Sequence, residues 1–282
     1  MAGSLKKKDP WWLTVLIYLI LMVFTLVAVY PILRVISISL RPGNLLHSTS
    51  LRLIPRNATL DSYRVLFTEK PFLRWLLNST VVSGMVTLLG VGLASTAGYA
   101  FSRFNFKLKE AGMISVIMTQ MFPVTMLLIP LFVMLIHLHL YDTFIGLVIA
   151  YSATVLPFCI WQMKGYYDTI PVSLEEAARI DGATHFGAFY RIVLPLASPA
   201  LVITALFSFM GSWSEYLVAA VILNDRRLFT LPLGLKQFQS NFDTEWGLYA
   251  AGAVVVSIPV ILLFLFLSRW LISGLTLGSV KG

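Results

Sequence analysis

Six stretches of this chain run for more than twenty residues without a formal charge. They lie between Asp9 and Arg34 (24 residues), Arg74 and Arg103 (28), Glu110 and Asp142 (31), Asp142 and Lys164 (21), Arg191 and Glu215 (23), and Glu245 and Arg269 (23). A helix needs roughly 20 mostly apolar residues to cross the hydrocarbon core, so each stretch can hold one span. The strict alternation of a half-buried strand is missing, and a segment in lipid must satisfy its own backbone hydrogen bonds. The chain therefore reads as all-α: a polytopic membrane protein with six transmembrane helices at about 11–33, 79–101, 111–138, 143–163, 200–223 and 247–268. Residues 1–282 read as a single transmembrane domain, with core spans over about 79–268 and an N-terminal span over about 11–33. Lys6, Lys7 and Lys8 precede the first apolar run as they would in a signal peptide. The run is too long for one, and no small-residue cleavage site follows before Tyr30-Pro31, so it reads as a retained helix.

Within the spans, Pro123, Pro130, Pro157 and Pro259 each free a carbonyl and permit a kink. Such kinks are either tolerated against neighbouring helices or line a pathway. Gly90, Ala94 and Gly98 recur every four residues in the second span, a face suited to close helix contact. The single cysteine, Cys159, excludes an internal disulfide and a CxxC metal site, and its mid-span position suits a small buried side chain. In the polar segment 34–77, Leu60, Tyr63, Leu66 and Phe67 have the spacing of a short interfacial helix.

Composition agrees with the spans. Apolar residues make up 58% of the chain and charged residues 12%, where a soluble domain carries about 25% charged residues. The net charge of +8 sits at span ends and in loops. There it suits anionic membrane lipid rather than nucleic acid. Lys and Arg in short loops mark the cytoplasmic side. The N-terminus and 102–110 hold six of them and 139–142 holds none. Both termini and the segment 164–199 are therefore expected in the cytoplasm, with 34–77 and 224–245 outside.

The segment 164–199 is too polar to span and too patterned for a mere connector. Ser173-Leu174-Glu175-Glu176 fits a capping box, with the serine at the cap and Glu176 reaching back to it. The helix should run to about Asp181 and stop at Gly182 in a left-handed conformation. Phe186, Phe189, Tyr190 and Val193 then form the apolar stripe of a second helix, which Pro195 ends or bends. That stripe either packs on this chain's own helix ends or docks into a groove on another protein.

Glu215 is the one acidic residue inside an expected span. The rarity of such carboxylates favours a place beside a translocation path or at a subunit interface over one satisfied by neighbouring serines. Ser208, Ser212, Glu215 and Ala219 would share a helical face, and Gln120 is a weaker candidate for the same cavity. In the outer loop, Gln237, Gln239, Asn241 and Asp243 lie close to Phe238, Phe242 and Trp246. On residues alone this is a solvated loop. The four histidines form no HExxH metal motif, and His137 and His139 read as interfacial residues. No Gly-Lys dipeptide occurs, so the phosphate-cradling P-loop is missing and ATP hydrolysis would need a separate protein.

Glu176-Ala177-Ala178, three residues, Gly182, nine residues, Ile192, one residue and Leu194-Pro195 together resemble the EAA loop of bacterial ABC importer permeases. The likeness extends over essentially the whole chain to the smaller, MalG-type permease of maltose and maltodextrin importers. It includes Ile38-Ser39-Leu40-Arg41, Asn78-Ser79, Gln120-Met121-Phe122-Pro123, and an ending from Gly274-Leu275-Thr276 through Val280-Lys281-Gly282. The resemblance implies a type I ABC importer permease fold in the bacterial cytoplasmic membrane. It further implies a MalF-type second permease, a MalK-type ATPase dimer using ATP and Mg, and an extracytoplasmic sugar-binding protein, with no cofactor on this chain. The EAA loop would be a coupling helix in a cleft of the ATPase, with Glu176, Ala177, Ala178 and Gly182 at the contact and Ile192, Leu194 and Pro195 fixing the exit. Glu176 would then be a cap, a charge contact with the ATPase, or both. By the same resemblance the loop with Gln237, Gln239, Asn241 and Asp243 would touch the binding protein, and Val280, Lys281 and Gly282 would touch the ATPase pair. Other readings are a permease for another oligosaccharide or glycerol-phosphate, a proton-coupled carrier using Glu215, and an intramembrane enzyme. The carrier leaves the EAA spacing unexplained, and no catalytic arrangement supports the enzyme.

Overall fold

The structure, a computed structural model, describes residues 10–43, 52, 54–239 and 244–277, with side chains described to 268. Among the described residues, four helices are long and apolar enough to cross a membrane. These are α1 (Trp11–Ser39), α3 (Phe72–Arg103), α6 (Phe144–Tyr167) and α13 (Trp246–Leu277). Two bent pairs, Lys109–Met121 with Val124–His137 and His185–Leu196 with Ser198–Trp213, bring the number of candidate spans among the described residues to as many as six. Among the described residues there is no β-strand. The expected spans at 79–101 and 143–163 thus fall inside longer helices, and the first and last extend beyond their expected ends.

Two expected spans are corrected. The stretch 111–138 is not one helix. It comprises α4 (Lys109–Met118), a 3-10 turn (Thr119–Met121) and α5 (Val124–His137), with the two arms bent by 104°. Pro123 has no N–H to continue the ladder, and it forces Phe122 into an extended conformation (φ −79°, ψ 126°). Pro130, Pro157 and Pro259 lie inside α5, α6 and α13, which continue through them. The stretch 200–223 is also interrupted. It forms α10 (Ser198–Trp213) and α11 (Leu217–Ile222), separated at Ser214–Tyr216.

The chain divides into two units, Met1–Lys70 with Phe238–Val255, and Pro71–Gln237 with Val256–Gly282. In the first, α1 is apolar on every side and exposed from Trp11 to Tyr30 apart from the half-buried Leu13. The short helix α2 (Asp61–Thr68) falls where the apolar spacing placed it, with Leu66 buried. Ser39 and Tyr63 share a 2.8 Å hydroxyl contact, and Lys70 pairs with Glu245 at 3.3 Å.

The second unit is built on α3, α6 and α10 packed together. In lipid no hydrophobic driving force brings helices together, so close packing has to do so. Gly90 and Gly98 supply it. A Cβ at Gly90 would lie 2.6 Å from Ser208 Oγ. One at Gly98 would lie 2.8 Å from Met163 Cβ and 3.0 Å from the Lys164 backbone nitrogen. The small-residue face of α3 is therefore an internal contact with α6 and α10. Cys159, buried in the same region, lies 3.4 Å from Ser208 Oγ and serves packing. Two apolar clusters flank this slot. One joins Val82 and Val86 to Leu147, Tyr151 and Ile222. The other joins Tyr99, Met163, Tyr167, Phe189 and Val193.

Overpacking a tight contact costs about 1–3 kcal/mol. Gly98→Val should lower the thermal midpoint of the purified protein in detergent, while Gly92→Val, with nothing within 4 Å of its Cβ, should leave it near the parent value. Equal midpoints would show that the slot does not hold the unit together.

Candidate functional site

The segment between α6 and α10 folds as α7 (Ser173–Ile180), α8 (His185–Ala188), a π-helical turn (Phe189–Val193) and α9 (Leu194–Leu196). The capping box is not formed. Val172 occupies the cap position in a helical conformation, and no side chain caps the helix. The amide of Glu176 donates to Val172 O at 3.1 Å. Ser173, already inside the helix, cannot receive it. Glu176 is exposed, as is Ala177, and Ala178 is half-buried.

The other end follows expectation. Gly182 has φ +89°. Its amide donates to Arg179 O at 3.1 Å, and that of Ala183 donates to Ala178 O at 2.9 Å, the paired bonds of a Schellman stop. No atom lies within 4 Å of a Cβ placed at Gly182, so glycine is needed here for its backbone alone. Thr184, not singled out from the sequence, caps α8 by accepting from the Gly187 amide at 3.0 Å.

The apolar stripe is wider than the contact it makes. Phe189 and Val193 are buried, with Phe189 against Tyr99 at 4.5 Å between ring centroids. Phe186 and Tyr190 stack on each other at 6.4 Å and face outward. Ile180, also outward, is 87% exposed. Pro195 has no N–H to continue the ladder, and the wide turn before it closes through the Leu194 amide to Phe189 O. Ile192 and Leu194 are half-buried and Pro195 is exposed.

The acidic residue that anchors α7 is Glu175, not Glu176. Its side chain and that of Arg103 are 8% and 9% exposed, with Arg103 Nε donating to Glu175 Oε1 at 2.5 Å. Tyr99 Oη donates to Glu175 Oε2 at 2.6 Å, and Arg103 Nη2 donates to Ile170 O at 2.8 Å. Beside this pair, Ser102 Oγ donates to Asp168 Oδ1 at 2.6 Å and Lys164 Nζ to Asp168 Oδ2 at 2.7 Å. Burial works against the Asp168 carboxylate, but the bonds from Lys164 and Ser102 outweigh it and hold the group below the ordinary carboxylate range. The sequence does carry a signal for Arg103: it is the first charge after the 28 uncharged residues that follow Arg74.

Ser212 and Glu215 do not share a helical face, because α10 ends between them. Ser212 Oγ is buried and donates to Ser208 O at 2.8 Å. The Glu215 carboxylate accepts from the amides of Val218, at 3.0 and 3.1 Å, and Ala219, at 3.3 Å. A continuous helix would send those amides to carbonyls four residues back, so the carboxylate and the break go together. Neighbouring serines do not satisfy it. Gln120 Nε2 donates to Thr154 O at 3.0 Å, beside a cavity of about 120 Å³ whose lining includes Gln120, Thr154 and Val218 but not Glu215.

Gln237 is exposed and Gln239 half-buried. Asn241, Asp243, Val280, Lys281 and Gly282 lie outside the described residues. The loop after α11 is pinned by groups the sequence did not single out for that role. Asp142 Oδ1 accepts from the amides of Asn224 and Asp225 at 2.9 and 3.1 Å. Asn78 Nδ2 donates to Arg227 O at 2.8 Å, and Ser79 Oγ accepts from the Leu231 amide at 2.7 Å. Among the described residues no group of three or more His, Cys, Asp or Glu could hold a metal ion.

An all-helical, polytopic bundle with a short helix held beneath two of its spans is the architecture of an ABC importer permease of type I. The same fold is found in a chain of a bacterial ABC transporter involved in the import of the acidic polysaccharide alginate. The match has a TM-score of 0.80 at 23% identity and covers 95% of this chain and 99% of that one. Residues 87–276 match the family of binding-protein-dependent transport system inner membrane components. The chain belongs to that family. It is 36% identical over 284 residues to the maltose/maltodextrin transport system permease protein MalG of Escherichia coli K12, covering 94% of this chain and 95% of the relative. It is 34% identical over 270 residues to the maltodextrin transport system permease protein MalD of Streptococcus pneumoniae, covering 95% of both. MdxG, a maltodextrin permease of Bacillus subtilis, is 36% identical over 267 residues.

Removing one partner of a buried ion pair leaves a charge without compensation, at a cost of about 3–5 kcal/mol. Glu175→Ala should therefore lower the thermal midpoint markedly, while Glu176→Ala should leave it nearly unchanged. The reverse order would contradict the assignment of Glu175 as the anchor.

Proposed function

We propose that this chain is one permease subunit of an importer that moves maltodextrin-type oligosaccharides into the cell, driven by ATP hydrolysed on separate subunits. Its partners in this reading are a second permease, an ATPase pair using ATP and Mg, and an extracytoplasmic sugar-binding protein. Both termini and the segment 164–199 lie on the cytoplasmic side. The observation that carries the reading is the Glu176-Ala177-Ala178 … Gly182 … Ile192 … Leu194-Pro195 spacing, with Glu176 and Ala177 exposed on α7. It occurs in a chain whose named relatives, at 34–36% identity over 94–95% of its length, are maltodextrin permeases.

The chemistry suits the role. Ala177 and the half-buried Ala178 let a partner's backbone come close to α7. Exposed Ile180, Phe186 and Tyr190 offer apolar surface that a soluble protein can cover. Glu176 remains available for a charge contact there. The sharp stop at Gly182 turns the chain back, so that a push on α7 meets a short, stiff hairpin. In the same reading Gln120 and Glu215 stand near the translocation path. Gln237, Gln239, Asn241 and Asp243 face the binding protein, and Val280, Lys281 and Gly282 reach the ATPase pair. A proton-coupled carrier leaves the EAA spacing unexplained, and the Glu215 carboxylate has a structural task in accepting from the amides of Val218 and Ala219.

Valine is strained at positive φ. In the complete transporter in proteoliposomes, Gly182→Val should reduce ATP-driven maltotriose uptake by about tenfold or more, the scale of a typical coupling free energy. The subunit should still reach the membrane. Uptake driven by a proton gradient without ATP would overturn the assignment.

A further inference from the structure

The helix α7 has one buried residue, and that residue is charged: Glu175. An amphipathic helix usually seats itself through an apolar stripe, which tolerates sliding and rotation. Here the hold is directional. Both carboxylate oxygens of Glu175 are taken, one by Arg103 Nε at 2.5 Å and the other by Tyr99 Oη at 2.6 Å. Arg103 is the last residue of α3, and Tyr99 stands one turn earlier. The same guanidinium reaches Ile170 O, on the linker leaving α6, at 2.8 Å, and Ser102 Oγ, itself bonded to Asp168, at 3.1 Å.

We infer that Arg103, Glu175 and Tyr99 form a clasp of positioning residues through which displacement of α7 is delivered to the end of α3 and to the linker after α6. The inference rests on reading α7 as the coupling helix, and it adds the connection between that helix and the spans. Stability alone is a weak reason to keep such a pair, because buried ion pairs often break even against apolar residues of similar volume. What an ion pair adds is fixed geometry. The planar guanidinium has donors at set angles, and it joins three segments that an apolar contact would leave free to shift. The helix ends favour the arrangement, since Glu175 lies in the first turn of α7 and Arg103 in the last turn of α3. Exposed Glu176 takes no part, so the two adjacent glutamates divide the work: one turns inward to the spans and one outward.

The test separates holding from coupling. Arg103→Met/Glu175→Met replaces the pair by apolar side chains. The complete transporter should assemble with a thermal midpoint no lower than the parent and retain ATP hydrolysis. The maltotriose accumulated per ATP hydrolysed should fall by about tenfold. Glu175→Gln, which keeps the shape and loses the charge, should move the ratio in the same direction and serves where the double variant does not assemble. A parental ratio in either assembled variant overturns the clasp. Gly182→Val, measured alongside, tells the two ideas apart. If it uncouples while the clasp variants do not, only the clasp is wrong. If all couple normally, the role given to α7 fails as well.

Discussion

Lipid offers no partner to a backbone amide or carbonyl, so wherever a span departs from regular helix the chain must supply one from its own side chains. One departure is handled in this way. At the break after α10, the Glu215 carboxylate takes up the amides of Val218 and Ala219, and Tyr151 Oη donates to the Glu215 carbonyl at 3.3 Å. Beside the bend before α5, Gln120 instead ties the chain to Thr154 O on the neighbouring helix. Glu215, the acidic residue that stands out in an apolar stretch, is thus what makes the break beside it tolerable. Standing near a translocation path is compatible with that task, because irregular backbone at membrane depth is tolerated where it is buried in protein or lines a cavity.

At the far end of α3 the same constraint meets a different solution. There the chain leaves the apolar slab, and Arg103 gathers the end of one helix, the linker of a second and the start of a third into one hydrogen-bonded cluster. Aromatic packing of Tyr99 on Tyr167 and Phe189 screens the cluster from one side. Outward from it lie exposed Ala177 on α7, Phe186 on α8 and Tyr190 in the π-helical turn. In the proposed reading, the part that another protein would grip and the part that would pass the grip on are adjacent and chemically distinct.

Much of this architecture is legible in the amino-acid sequence alone. Charge-free stretches locate the spans because charges in hydrocarbon are costly in any fold. Gly182 is readable because a helix stop needs positive φ and few residues supply it. The breaks are not. Pro123 and Pro130 carry the same local signal, yet one stands at the bend before α5 and the other inside it, a difference that local spacing does not contain. The acidic pair escapes local rules for a related reason. A capping rule assigns a role to Glu176 from its distance to Ser173, whereas the actual anchor, Glu175, is chosen by an arginine 72 residues away. Local pattern cannot weigh a contact of that span.

The slot at Gly98 also limits how the bundle can rearrange. Shifting α3 along α6 by one turn, about 5.4 Å, would bring Ala94 or Ser102 to the place where even a glycine leaves room for no Cβ. Axial slippage is thereby closed off. A rearrangement that keeps the glycine contact carries α3 and α6 together as one body.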